Sequence, residues 1–178
     1  MVPPLVLLDR DGVLNEDRPD YVKDWSEWVW EPGAREALAA FRAAGVPVAV
    51  FTNQSCVGKG RVTPETLADI HHRMRTEAEA AGGRIDAVFY CPHIDADGCR
   101  CRKPAPGLIE QGLAHFGLTD QAASVPCIGD AGRDLDACRA AGAQPMLVRT
   151  GKGAETEQSG EASGVAVYDD LRAAAAAL

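Results

Sequence analysis

Short apolar runs of four to six residues, each closed by polar residues and separated by helix-length stretches, recur along this chain. The runs are 5–8 (LVLL), 46–51 (VPVAVF), 85–90 (IDAVFY), 124–128 (SVPCI), 145–149 (PMLVR) and 165–168, and each reads as a strand. Between them, 33–44, 64–81, 106–116, 133–141 and 169–177 carry apolar residues at helical spacing. Thr63-Pro64 opens one helix as an N-cap followed by proline, and Gly45 and Gly142 close two others. Strand-then-helix order of this kind admits few architectures. The expectation is an α/β three-layer sandwich around a mostly parallel central sheet, formed by a single domain over 1–178. Residues 151–164 are polar and glycine-rich and are expected to be a mobile loop. The irregular stretch 15–32 is too long for a plain connection and is expected to form a flap near a site. No insertion is long enough for a full cap domain.

Charge and composition remove several function classes. Asp and Glu number 26 against 18 Lys and Arg, a net charge of −8, which argues against nucleic acid or an anionic membrane as partner. No apolar run approaches a membrane span, and MVPPLVLL lacks the basic start of a secretory leader, so a cytoplasmic protein is expected. In that setting the six cysteines are not expected to form a disulfide framework. Cys127 and Cys138 stand in apolar surroundings and read as small buried residues.

In an open parallel sheet, ligands bind beyond the carboxyl ends of the strands. Those ends here carry Asp9 and Asp11, then Thr52, Asn53, Gln54 and Ser55, then Cys91 and His93, then Asp130, with Lys103 in the loop after the cysteines. Singly each has a plainer reading: Asp-x-Asp a turn, Thr52 a helix cap, Lys103 a solvated lysine. Together they converge on one edge. Asp9 and Asp11 project to the same side of an extended chain, where two carboxylates repel unless a hard divalent cation offsets them. A carboxylate can attack phosphorus, and a second can protonate the leaving group and then activate water. A cation and Lys103 would neutralise the phosphoryl oxygens, and Thr52 can donate a hydrogen bond to them.

LLDRDGVLN (7–15), FTN (51–53), Lys103 in RKP and IGDAGRD (128–134), in that order, resemble the four motifs of the haloacid dehalogenase superfamily of phosphohydrolases and span nearly the whole chain. The resemblance implies a Rossmann-like fold and Mg²⁺-dependent hydrolysis of phosphate esters through an aspartyl-phosphate. It implies that Asp9 is the nucleophile, Asp11 the general acid/base, and Thr52 and Lys103 the phosphoryl holders. The Asp9 side chain, the Asp11 backbone carbonyl and Asp130 would bind Mg²⁺, and Asp134 matches the second acid of the last motif.

Cys91-Pro92-His93, then Cys99-Arg100-Cys101, supplies three thiolates and an imidazole, a closed tetrahedral Zn²⁺ set and therefore a structural one. A Cys99/Cys101 disulfide is the alternative, with awkward geometry across one intervening residue. Zinc would tie down the loop 91–103 and fix Arg102 and Lys103 at the mouth of the site. Cys56 reads as a small residue in the site loop. This cluster with its following Arg-Lys-Pro resembles two branches of the superfamily, one acting on heptose bisphosphates and the other on histidinol phosphate. TNQS (52–55), GKG (58–60) and LVRTGKG (147–153) are more similar to the heptose branch, which removes a 7-phosphate; the short spacer between His93 and Cys99 is similar to the other. By that resemblance Asn53, Gln54, Ser55, Arg102 and Lys59 contact substrate, a small phosphorylated sugar, in a protein expected to be a monomer.

Trp25, Trp28 and Trp30 are expected to fasten the flap to the body, with Tyr21 and Val22 approaching substrate. Arg10 should face away from Asp9 and Asp11 by alternation, and His71, His72 and His115 read as surface or packing residues. A receiver-like module that retains its phosphoryl group is the non-enzymatic alternative. Asp11 speaks against it, because an acid/base beside the nucleophile promotes turnover.

Overall fold

A computed structural model describes residues 2–178; Met1, at the head of the segment read as lacking a leader, lies outside them. Six parallel strands form one sheet in the order β3-β2-β1-β4-β5-β6: β1 (Val6–Leu8), β2 (Val48–Asn53), β3 (Ala87–Cys91), β4 (Pro126–Gly129), β5 (Gln144–Val148) and β6 (Ala166–Tyr168). The chain runs outward from β1 to β3, then returns to place β4 on the other side of β1. That reversal puts a crevice beyond the carboxyl ends of β1 and β4, the place where such sheets bind ligands.

Both faces of the sheet are covered, which explains strands apolar at every position rather than at alternate ones. Val6 and Leu8 of β1 pack into a core with α1 (Ala34–Ala43), α3 (Pro64–Ala80) and α7 (Leu171–Ala176). Leu5 and Leu7 point the other way, against α4 (Gly107–His115) and α5 (Gly132–Ala140). Helix, sheet, helix is the expected layering. Thr63 Oγ1 accepts from the Thr66 amide at 3.1 Å and Pro64 is the first residue of α3, the start read from the sequence. Cys127 and Cys138 are fully buried. Among the described residues, no helix is long and apolar enough to cross a membrane.

Three local expectations are corrected. Residues 151–164 are not a plain loop: they contain α6 (Gly153–Ser159), anchored where Thr156 Oγ1 donates to the Asp130 carbonyl at 2.8 Å. Its polarity reflects an exposed helix held at a few points rather than a lack of structure. A further short helix, α2 (Ser55–Gly58), follows β2 where only strand-end polar residues had been read. The stretch 15–32 holds a one-turn 3-10 helix (Trp25–Glu27), and an isolated antiparallel bridge between Asn15 and Trp30 draws its ends together. Trp25 stacks on Trp28 at 5.1 Å between centroids, Trp30 meets Trp28 edge-on at 5.2 Å, and Trp30 Nε1 donates to Glu77 of α3 at 2.7 Å. The tryptophans thus fasten this segment to the body. Val22 is buried in the same core and does not reach the crevice, contrary to expectation, because its alkyl side chain completes that apolar cluster.

Candidate active site

The carboxyl ends of β1, β2 and β4 and the loop before α4 deliver their side chains to one point. Lys103 Nζ, almost fully buried, lies 2.8 Å from Asp9 Oδ1 and 2.7 Å from Asp134 Oδ1, and donates to the Phe51 carbonyl at 3.3 Å. Asn53 fixes the loop that carries it: Asn53 Nδ2 donates to the Lys103 carbonyl at 3.1 Å, and the Lys103 amide donates to Asn53 Oδ1 at 3.0 Å. Asp134, in the first turn of α5, accepts from the amides of Asp130 at 3.2 Å and Ala131 at 2.9 Å. Its own placement therefore fixes both Lys103 and the turn bearing Asp130.

Asp9, Asp130 and Asp134 each offer a carboxylate oxygen, all within 4.8 Å of one another and all buried. Burial pushes Asp9 up to about 7, with the Asp134 charge adding to it and Lys103 opposing. Asp130 is likewise pushed well up, by burial and then by the Asp9 and Asp134 charges. Burial acts upward on Asp134 as well, but the Lys103 ammonium and its hydrogen bond outweigh it and hold this carboxyl below its ordinary range. Three buried carboxylates sharing one ammonium are short of positive charge. That donor set, all hard oxygen, fits a divalent cation such as Mg²⁺.

Asp11 stands apart from this trio, at the edge of the crevice. Its Oδ1 accepts from Arg10 Nη2 at 2.9 Å and Asn15 Nδ2 at 3.0 Å, and its Oδ2 accepts from Gln54 Nε2 at 2.7 Å. Burial acts upward on this group too, but the Arg10 charge and these hydrogen bonds overcome it and hold the carboxyl below its ordinary range. Gln54 Nε2 also donates to Thr52 Oγ1 at 2.9 Å, which leaves the threonine hydroxyl proton to be donated elsewhere. Arg10 does not face away from both acids. Its long side chain folds back, fully buried, onto Asp11, because Asp11 is the carboxylate that can balance it there.

At the same edge lies a cavity of about 470 Å³, whose lining includes six cations, Arg10, Arg18, Lys59, Arg102, Arg133 and Lys152, against two acids, Asp11 and Asp17. In a chain of net charge −8, this concentration of positive charge suits a ligand with more than one anionic group. Lys59 Nζ donates to the Tyr21 hydroxyl at 2.7 Å, so the flap and α2 meet across the opening. Cys56 is fully buried and burial pushes its thiol upward, which makes it an inert small residue.

Arg133 and Lys152 escaped the sequence reading, as did the contacts around Asp130. The Lys152 amide donates to Asp130 Oδ2 at 2.8 Å, and Thr150 Oγ1 donates to the Gly12 carbonyl at 2.6 Å. Gly12 and Gly151, both at positive φ, let the two loops meet: a Cβ on either would strike the Asp130 carboxylate. A signal was available, since β5 ends beside β4 on the same sheet edge and its following residues had to fall near Asp130.

Beyond β3, Cys91, His93, Cys99 and Cys101 close on one another. Cys91 Sγ is 3.5 Å from His93 Nδ1 and 3.6 Å from Cys99 Sγ; Cys101 Sγ is 3.3 Å from His93 Nδ1 and 3.6 Å from Cys99 Sγ. With Zn–S of about 2.3 Å and Zn–N of about 2.0 Å, a tetrahedral site has edges of roughly 3.5–3.8 Å, close to these separations. The six cysteines are all free thiols. Arg102 pairs with Asp95 and its Nη1 donates to the His93 carbonyl at 3.4 Å, so this loop aims Arg102 at the cavity.

Known proteins resemble this chain in sequence and in fold. A family model described as HAD-hyrolase-like matches residues 100–174. The D-glycero-beta-D-manno-heptose-1,7-bisphosphate 7-phosphatase of Neisseria meningitidis serogroup A is 46% identical over 85% of this chain and 80% of its own length. The enzyme of the same name from Pseudomonas aeruginosa is 42% identical over 98% of this chain and 97% of its own. Among solved structures, D,D-heptose 1.7-bisphosphate phosphatase from B. bronchiseptica, complexed with magnesium and phosphate, superposes with a TM-score of 0.92 at 41% identity, covering 97% of this chain and 96% of that one.

Proposed function

This chain belongs to the heptose-1,7-bisphosphate 7-phosphatase family of HAD-like hydrolases, and from that premise we propose that it removes the 7-phosphate of D-glycero-β-D-manno-heptose 1,7-bisphosphate. The observation that carries the reading is the buried Asp9–Lys103–Asp134 cluster at the sheet edge, where the neighbouring Asp11, Asn53 and Arg133 line a cavity rich in cations. The β-anomer is the one in the names of both relatives.

Asp9 attacks phosphorus in line with the ester bond. The P–O bond to the sugar breaks and its electron pair goes to the leaving oxygen, which takes a proton from Asp11; this carboxylate, ionised in the resting site, acquires that proton from the entering phosphate monoanion, whose charge against it offsets the pull of Arg10. Asp11, now a carboxylate, takes a proton from water as that water attacks the aspartyl-phosphate and releases inorganic phosphate from Asp9. Lys103 and the Thr52 hydroxyl hold the phosphoryl oxygens, and Asn53 and Asp134 hold Lys103 in place for that task. Asp9, Asp130 and the Asp11 carbonyl would hold magnesium, which when bound supplies neutralising charge beside the phosphoryl group. The neighbour from B. bronchiseptica carries that metal. Cys91, His93, Cys99 and Cys101 would hold a structural zinc, which keeps Arg102 and Lys103 where substrate meets them. Arg102, Lys59 and Ser55 take the second phosphate and the sugar hydroxyls at the open side of the cavity. We read 1–178 as one catalytic unit, with 15–32 and 91–103 as the walls of its site, acting as a cytoplasmic monomer.

The test is phosphate release with Mg²⁺ from both anomers of the heptose bisphosphate, histidinol phosphate and fructose 1,6-bisphosphate, with Asp9→Asn as control. The expected result is highest kcat/KM for the β-heptose bisphosphate, with heptose 1-phosphate as product. Preference for histidinol phosphate would overturn the substrate assignment.

A further inference from the structure

Arg10 is among the largest fully buried side chains, yet among the described residues its guanidinium forms side-chain hydrogen bonds with only two. Nη2 donates to Asp11 Oδ1 at 2.9 Å, and Nη1 lies 3.1 Å from Nε2 of His71. Nε has no partner among the described residues, and the ring of Trp28 covers the group at 5.7 Å. His71 comes from the inward face of α3, beside Ile70 and Met74, where a histidine interrupts an otherwise apolar stripe. An arginine can only donate, so His71 Nε2 accepts and its ring is neutral with the proton on Nδ1. Burial, and then the Arg10 charge, lower His71 to about 3, in keeping with that state.

Without His71, Arg10 would keep one hydrogen-bonded anchor, Asp11 itself, and no fixed direction from which to hold it. We propose that His71 is a positioning residue of the phosphatase reaction: by accepting from Arg10 it fixes the guanidinium against Asp11 Oδ1, so that Asp11 Oδ2 is the oxygen that exchanges the proton. Asn15 occupies the rest of Oδ1, whereas Oδ2 meets only the amide of Gln54. The carboxyl is thereby prevented from rotating, and its proton-bearing oxygen is the one beside Gln54, which lines the cavity with it. In the first half-reaction that proton moves from Oδ2 to the oxygen leaving phosphorus; in the second, Oδ2 recovers a proton from water. The inference rests on the reading of Asp11 as the general acid/base.

A role of this kind depends on the leaving group. A sugar hydroxylate needs a proton as it departs, whereas p-nitrophenolate leaves without one. The ratio of kcat/KM values, which covers only the steps through departure, separates the two. His71→Leu should lower kcat/KM for the heptose bisphosphate about tenfold, a fraction of what general acid catalysis contributes, and change that for p-nitrophenyl phosphate less than about twofold. His71→Gln, which returns an acceptor near the position of Nε2, should restore most of the loss. Equal losses on both substrates without rescue by glutamine would mean that His71 acts only through folding, and no loss on either would remove it from the reaction; both results overturn the proposal. Asp11→Asn, assayed in parallel, isolates the underlying reading. Its expected loss is larger still and confined to the sugar phosphate, and equal effects on both substrates there would remove the role of Asp11 itself, and this proposal with it.

Discussion

The Lys103 ammonium sits 2.8 Å from Asp9 Oδ1, with both side chains all but sealed from solvent. The same ammonium is 2.7 Å from Asp134, so one lysine balances the two carboxylates that face it. Removing it should be felt in stability as well as in activity. Lys103→Met leaves buried carboxylates without their partner, and breaking such a pair destabilises by about 3–5 kcal/mol. Denaturant unfolding without added metal should show a loss of that order, together with loss of phosphate release. A variant as stable as the parent would mean that the site is more hydrated than its burial indicates.

The cysteine cluster should hold about one zinc per chain by elemental analysis, and Cys101→Ser should lower that occupancy. Because Arg102 and Lys103 follow Cys101 directly, zinc removal by a chelator should depress activity even in excess Mg²⁺. A chain purified free of metal, fully active and unaltered in thermal stability, would remove zinc from the account.

Much of this was legible in the sequence, and for a physical reason. β1, β2 and β4 are buried on both faces, so their ends show as abrupt changes from apolar to polar at Asp9, Thr52 and Asp130. The cysteine–histidine cluster was legible because four side chains able to bind a metal fall within eleven residues. Arg10 was misplaced because alternation describes a Cβ direction, and a side chain as long as arginine can fold back from it. His71 was read only as a packing or surface residue, since its partner is 61 positions away and helical spacing carries no sign of it. Helix α6 was hidden because its anchors to Asp130 and Arg149 are tertiary, and its own residues are those of an exposed surface.

Stability should fall in mild acid through His71. Its folded value of about 3 lies below the roughly 6.5 of an unfolded histidine. The neutral form is therefore favoured on folding, and its contribution is complete above about pH 6.5 and is lost as pH falls toward 3. Arg10 opposes protonation, Asp11 favours it less strongly, and the Tyr90 ring lies at 6.0 Å. The slope from this group alone approaches about 1.4 kcal/mol per pH unit. Denaturant midpoints between pH 7 and pH 5 should drop less in His71→Gln than in the parent chain. Equal slopes would place this histidine in water when folded.

Gly151 has φ of 56° and no room for a Cβ beside the Asp130 carboxylate and Gly12. Gly151→Ala should displace Asp130 and weaken Mg²⁺ binding about tenfold, the scale on which groups that orient metal ligands act. Titration calorimetry with Mg²⁺ alone measures this directly. Unchanged affinity would mean that the Thr150–Lys152 loop yields in place of the acid.

The most direct test of the covalent route is to trap the phosphoryl group on the chain. The purified protein is mixed with Mg²⁺ and heptose bisphosphate, quenched in acid within the first turnover, digested and mapped by mass spectrometry. The account predicts a base-labile phosphoryl group on Asp9 in the peptide containing LLDRDG, absent from Asp9→Asn. Free phosphate formed at full rate with no phosphorylated peptide, or with the group on any other residue, would contradict it.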